Sequence, residues 1–210
     1  MTLLEDYSHR YDHYLVPISL RLESFFRDRV VGGMPRVDRV SARAKDPARF
    51  VAKAEKKWNN SDTQKYANPL TEIQDQIGVR IVVFYASDVH VVLEKVLEYF
   101  KPIEQKSLEP AGHDEFGYFG KHLVAPVPND VINTAEESLG PQLFELQIKT
   151  LFQHAWAECS HDVAYKEMRG SLDADLRRKI AYAAAQAWGA DKIFEELMIA
   201  LAEPTHAIID

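Results

Sequence analysis

Residues 78–85 read Gly-Val-Arg-Ile-Val-Val-Phe-Tyr, a β-branched and aromatic run broken by one charge, Arg80. Such a run predicts a buried strand. Phe116 to Val124 and Leu143 to Ile148 read as two further strands, separated by a polar loop from Pro126 to Gly140. Val37 and Val40, on either side of Arg39, mark a short extended segment. Helices surround these strands. Residues 1–30 repeat Tyr14, Ile18, Leu22 and Phe25 or Phe26 at helical spacing, and Val31-Gly32-Gly33-Met34-Pro35 ends that pattern. Asp46-Pro47 predicts a helix start, running to about Trp58. Asp88 predicts the cap of a helix from about Val89 to Phe100, and a further helix is expected from Thr150 to about Lys166. Leu172 to Leu201 reads as one helix or a pair, with a seam of Leu176, Ile180, Ala183, Ala187, Ala190, Phe194, Leu197 and Leu201 that suits core or subunit packing. Helices at both ends of a few strands predict one α/β domain over 1–210, with helical segments at 1–30 and 172–203.

Composition narrows the class of function. One cysteine, Cys159, in 210 residues excludes a disulfide framework and any Cys-rich zinc module. No apolar run approaches a membrane span, and the acidic start MTLLEDYSHRYDHY lacks the apolar core of a signal peptide, so a cytosolic protein is expected. The net charge of -7 argues against a general nucleic-acid coat. Yet Arg36 to Lys57 carries eight bases (Arg36, Arg39, Arg43, Lys45, Arg49, Lys53, Lys56, Lys57) against three acids. That stretch reads either as a solvated helix face or as a polyphosphate site. In the second reading Arg43 offers a planar fork and a stacking face, the lysines offer compact charge, and the helix start adds backbone N–H groups.

Three further segments carry chemistry. In Asp75-Gln76-Ile77-Gly78-Val79-Arg80, a carboxylate at the edge of a strand suits Mg²⁺, and Gly78 lets a ligand approach the backbone. Arg80 either points into a site or pairs with Asp75, because a charge is seldom buried alone. Phe116-Gly117-Tyr118-Phe119-Gly120-Lys121-His122 can lay an aromatic ring on a base. In Phe144-Glu145-Leu146-Gln147-Ile148-Lys149-Thr150, strand alternation sets Glu145, Gln147 and Lys149 on one face and Phe144, Leu146 and Ile148 on the other. Beyond it His154, Glu158 and His161 share one helix face; a zinc site with Cys159 lacks a familiar ligand spacing there.

Taken in order, these segments resemble the synthetase domain of the RelA/SpoT family, over about Val40 to Lys166. The pattern is Arg43-x-Lys45, Asp75-x-x-Gly78-x-Arg80, Gly117-Tyr118-x-Gly120-x-His122, Glu145-x-Gln147-Ile148-Lys149-Thr150 and His154-Ala155-Trp156-Ala157-Glu158-x-x-His161. The resemblance implies a mixed β-sheet flanked by helices, related to nucleotidyltransferases. It implies transfer of the β,γ-diphosphate of ATP to the ribose 3′-OH of GDP or GTP, with Mg²⁺ as cofactor. It implies Arg43 and Arg80 around the adenine, Lys45, Lys53 and Lys56 on the ATP phosphates, and Asp75 as metal ligand. Tyr118 would stack on the acceptor base and Glu145 would sit at the acceptor 3′-OH, as base or second metal contact. Gln147 and His154 would line the acceptor pocket, with Lys121 and His122 on its phosphate side.

The sequence departs from the family pattern at Lys149, where Arg is usual, at Arg49, where a small Ser is usual, and at Phe119-Gly120, where Arg-Ser is usual. The last change removes a cation from the acceptor loop. It leaves two other acceptors open, an adenine nucleotide and the 3′ end of tRNA, as in toxic relatives that pair with an antitoxin. A non-catalytic nucleotide-binding module is a third reading, opposed by the presence of both Asp75 and Glu145. The family contains homo-oligomers and monomers. The chain has no room for the hydrolase and regulatory domains of long members, and His161-Asp162 falls inside the synthetase pattern.

Overall fold

The computed structural model describes residues 2–58, 61–108, 116–117, 120–133, 140–167 and 173–202. The chain opens with α1 (Leu3–Arg10), closed by a capping box in which Thr2 Oγ1 accepts from Glu5 N–H and Glu5 accepts from Thr2 N–H. A π-helical turn at Tyr11–Leu15 leads into α2 (Val16–Phe25), and a second at Phe26–Val30 follows it. The first wide turn sits just ahead of Pro17, whose ring has no N–H to give and crowds the preceding turn. The expected helix over 1–30 is therefore one helical path with two wide turns. It stops at Gly32, where a Cβ would stand 2.4 Å from the Asp28 carbonyl oxygen, and at Gly33, with φ of +78°.

A mixed five-stranded sheet follows: β1 (Val37–Ala44), β2 (Ile77–Val83), β3 (Glu104–Leu108), β4 (Gly120–Pro126) and β5 (Leu143–Thr150), in the spatial order β1-β2-β5-β4-β3. β2 and β5 run parallel, and the other pairs are antiparallel. The β-branched run read from the sequence is thus an inner strand, paired on both sides. Between the strands lie α3 (Pro47–Ala54), the single turn α4 (Pro69–Glu72) and α5 (Ala86–Tyr99); α6 (Leu151–Glu167) and α7 (Ala174–Ala202) close the chain.

One face of the sheet is the core. Val79, Ile81 and Val83 of β2, Phe144, Leu146 and Ile148 of β5 and Leu123 and Ala125 of β4 pack there against Ile18 and Leu22 of α2 and Val92 and Val96 of α5. Phe26, Phe100 and Phe144 form its aromatic centre. Phe26 stacks on Phe100 at 5.2 Å between ring centroids, and both meet Phe144 nearly edge-on at 5.7 and 5.5 Å. Tyr7 of α1 stacks on Phe50 of α3 at 3.6 Å, which seats the short basic helix on the N-terminal one.

Several expectations need correction. β1 is eight residues long rather than a short segment, because its alternate side chains pack under α2. α3 ends at Ala54, its last buried residue, well before Trp58. Asp88 is not the cap of α5. It stands at the third position, behind the cap Tyr85, and its buried carboxylate takes a bidentate Arg36 fork, with Nη2–Oδ1 at 2.7 Å. β4 starts at Gly120 rather than Phe116, and β5 runs on to Thr150. α7 is one helix, and its buried line runs through Ala184 and Asp191, so within the chain the seam is not core, while its subunit-packing alternative keeps an exposed apolar face. Leu176, Phe194 and Leu197 of that seam are largely exposed, and Leu201 is 86% exposed.

Candidate active site

The second face of the sheet is polar at its centre. The strand registers align Arg43 with Gly78 and Glu145, and Ser41 with Arg80, Gln147 and His122. Strand alternation turns all of these side chains to the face opposite the core. All of them but His122 line, together with Lys45, Arg49 and Asp75, a cleft of about 510 Å³. Gly78 stands in the middle of its floor, and nothing lies within 4 Å of the place where a Cβ would be. The floor is open because this position has no side chain.

Asp75 lies in the turn just before β2, at the edge of the strand. Its Oδ2 receives Lys45 Nζ at 3.0 Å and Lys53 Nζ at 2.8 Å. Burial opposes the carboxylate charge, and the two lysines outweigh it, holding Asp75 below the usual carboxylate range. Its Oδ1 is buried and makes no hydrogen bond among the described residues. On β5, Glu145 is fixed at both oxygens: His122 Nδ1 stands 3.0 Å from Oε1, and Gln147 Nε2 donates to Oε2 at 3.0 Å. Burial pushes Glu145 up, and these two partners bring it below its ordinary value, while the Asp75 charge acts against them. Two ionised carboxylates thus face one cleft, within each other's field.

Arg80 does not pair with Asp75. Its Nη1 donates to Glu158 Oε1 at 2.6 Å and lies 3.3 Å from His154 Nδ1, both on α6. Glu158 is the residue that the sequence pattern left without a role. Its spacing of i, i+4 from His154 put it on the right helix face, but a role needed the packing of α6 over β2. The Arg80 Nε is buried with no hydrogen bond among the described residues. Arg43 and Arg80 stand diagonally on neighbouring strands, with Cα atoms about 7–8 Å apart for such pairs. That separation admits one flat ring between two guanidinium faces.

The other expected residues divide. Lys53 reaches the site through Asp75. Lys56 is exposed and does not line the cleft, because α3 ends before it. Lys121 is a correction: it pairs with Ile148 in the β4–β5 register, so it points to the opposite face from Glu145, and its Nζ donates to Ser107 Oγ. His122, one residue on, does face the site. Tyr118 lies outside the described residues. The basic stretch is also less free than its charge count implies, since Arg36 is held by Asp88, Arg39 by Asp38 and Lys57 by Asp62.

Lys149 is the departure with a physical consequence. It is 2% exposed on the polar face of β5, beside Val82 of β2. Burial and the nearby Arg80 charge lower its pKa to about 7, against weaker support from Glu158 and Glu145. An unfolded lysine keeps its proton to about pH 10.4. Between those values the unfolded chain holds a proton that the folded chain lacks, so stability rises with pH across that window. The deficit is full below the folded value and absent above the unfolded one. Lys149→Met, a neutral side chain of similar length, is therefore expected to raise the melting temperature clearly at pH 7 and little at pH 10. Equal gains at both pH values, or a loss at pH 7, would contradict the assignment.

Comparison with known proteins agrees with the fold. Residues 42–170, more than half of the chain, match the model of the region found in RelA / SpoT proteins. The chain is 28% identical over 166 residues to GTP pyrophosphokinase YjbM of Bacillus subtilis strain 168, covering 77% of this chain and 72% of that protein. Among solved structures, small alarmone synthetase 1 from Bacillus subtilis, bound to its product pppGpp, superposes with a TM-score of 0.68 at 22% identity, over 95% of this chain and 98% of that one. A GTP pyrophosphokinase family protein from Streptococcus pneumoniae gives 0.66 at 22% identity, over 97% of both chains. With its cleft assembled from the same segments that the family model spans, the chain belongs to the RelA/SpoT family.

Proposed function

We propose that this chain is a pyrophosphokinase that moves the β,γ-diphosphate of ATP to the ribose 3′-OH of GDP or GTP, making (p)ppGpp and AMP. The observation that carries this reading is the pairing of Asp75 and Glu145 across one cleft bordered by Arg43, Lys45, Arg49 and Arg80. Two polyanions cannot meet without such a cation set, and the reaction asks for positioning and charge neutralisation more than covalent work. The guanine acceptor is supported by family membership and by the relative named GTP pyrophosphokinase.

Arg43 and Arg80 hold the adenine between their planes, with Arg80 set by Glu158 and His154. Lys45 and Lys53 turn from Asp75 toward the triphosphate. The residues fit Mg²⁺: the Asp75 Oδ1 is a buried carboxylate oxygen with no hydrogen bond among the described residues, and Glu145 supplies a second carboxylate nearby. Held by Asp75 and Glu145 with the phosphates, the ion would neutralise charge on the β- and γ-phosphoryl groups. The acceptor 3′-oxygen bonds to the β-phosphorus as the bond from that phosphorus to the α,β-bridging oxygen breaks, and AMP leaves with the electron pair. Glu145, ionised and fixed by His122 and Gln147, accepts the 3′-hydroxyl hydrogen bond and takes the proton as the new bond forms. A base with a depressed pKa is weak alone, so fixed geometry and the charge on the donor carry most of the rate. No helix of the described residues is long and apolar enough to cross a membrane.

The test is an acceptor panel. With γ-labelled ATP and Mg²⁺, label is expected on GDP or GTP and not on ADP, ATP or deacylated tRNA. Label on an adenine nucleotide or on tRNA would replace the guanine acceptor. No transfer to any of them would leave a binding module. In the same assay Arg43→Ala is expected to raise the KM for ATP about 5- to 30-fold, the equivalent of about 1–2 kcal/mol of cation–π stacking, with little change in the KM for the acceptor.

A further inference from the structure

Behind the turn that carries Asp75, a second cavity of about 160 Å³ lies apart from the cleft. Arg10 of α1, the segment from Leu70 to Gln76 and residues 140–143 enclose it. Leu70, Ile73, Pro141 and Leu143 form its apolar wall, and none of the described residues lining it is a carboxylate.

Two polar side chains in this wall each carry a buried atom without a hydrogen bond among the described residues. Gln76 is 3% exposed, and its Nε2 donates to Leu70 O at 2.8 Å and Ile73 O at 2.9 Å. Two carbonyls on one side fix which end of the amide is nitrogen. The Oε1 is then left buried with no donor among the described residues. Arg10 is half-buried, and its Nε is also without a hydrogen bond among the described residues. Burial lowers its pKa, and the neighbour that supports its charge is the Tyr7 phenol rather than an acid. A cation partly removed from water without a counter-charge is costly, and so is an amide oxygen without a donor. Water can answer Gln76 but does not neutralise Arg10.

We propose that this cavity is a second ligand site, for a small phosphate monoester that carries its own hydroxyl or amino donor. The phosphate takes the Arg10 guanidinium, the donor takes Gln76 Oε1, and the short carbon chain lies on the apolar wall. The space equals about five water volumes, enough for such a compound and too little for a nucleoside triphosphate. The site adjoins the cleft through the backbone: Gln76 O accepts from Lys45 N–H at 2.8 Å, and Tyr7 Oη donates to Lys45 O at 3.1 Å. This inference does not rest on the proposed reaction.

The experiment is calorimetric titration of the full chain with glycerol 3-phosphate. Saturable one-to-one binding is expected in the wild type and in Lys45→Ala, which disables the cleft. Arg10→Gln is expected to weaken it at least tenfold, with partial recovery in Arg10→Lys. Absence of saturable binding, equal affinity in Arg10→Gln, or loss in Lys45→Ala would each overturn the proposal. Glycerol that bound as well as its phosphate would do the same. If Arg10→Gln did not fold, density for the soaked probe against Arg10 in wild-type crystals, or its absence there, would decide.

Discussion

Glu145→Gln is expected to lower pyrophosphoryl transfer by about a thousandfold, within the range for loss of a positioned acid–base group. The variant keeps the size of the side chain and its place beside His122 and Gln147, so the fold and the binding of a metal-free ATP analogue should be little changed. Asp75→Asn is expected to give a comparable loss of turnover with a different signature. In the resting protein Asp75 holds Lys45 and Lys53 through one oxygen. Removing its charge releases both lysines, so a metal-free ATP analogue should bind the variant more tightly while transfer collapses. Analogue binding and single-turnover transfer, measured on the same preparations, separate the two. Turnover within tenfold of wild type in either variant would show that the carboxylate is structural.

Phe144→Ala carries the largest expected cost in stability, about 3–5 kcal/mol. Phe144 is fully buried and meets both Phe26 and Phe100 edge-on, so truncation opens a cavity against the two remaining rings rather than a gap that one side chain can fill. It also precedes Glu145 on β5, and a loosened strand would misplace the carboxylate. Leu201→Ala is the control: at 86% exposure it should fall within about 0.5 kcal/mol of wild type. Urea unfolding should show the loss as a lower midpoint at unchanged slope. A loss under 1 kcal/mol in Phe144→Ala would mean that the aromatic centre is not packed as described.

Much of this was legible in the chain itself, for physical reasons. β2 declares itself because a largely buried strand tolerates few polar residues, and Arg80 stood out against that rule. Strand alternation alone put Glu145, Gln147 and Lys149 on one face, and the structure lines the cleft with the first two. What was not legible depended on long-range pairing. Asp75 and Arg80 were each expected in the site, but their partners, two lysines and Glu158, come from other elements. Lys121 was misplaced because a run of candidate cations hides the one-residue alternation that sends Lys121 away and His122 inward. β3, with the sequence EQKSL, has little apolar signal because it is an edge strand paired on one side only. On α7 the heptad-like pattern pointed to an apolar seam, yet the side that turns inward carries Asp191. That carboxylate accepts from Thr150 Oγ1 at 2.7 Å, and burial raises its pKa to about 6.

The reaction itself is tested most directly by its stoichiometry. Incubation with ATP, GTP and Mg²⁺, followed by ion-exchange separation and ³¹P NMR of the product, should yield one AMP for each guanine nucleotide gaining a 3′-diphosphate. ADP in place of AMP, or phosphate released without a 3′-modified guanine nucleotide, would contradict the account.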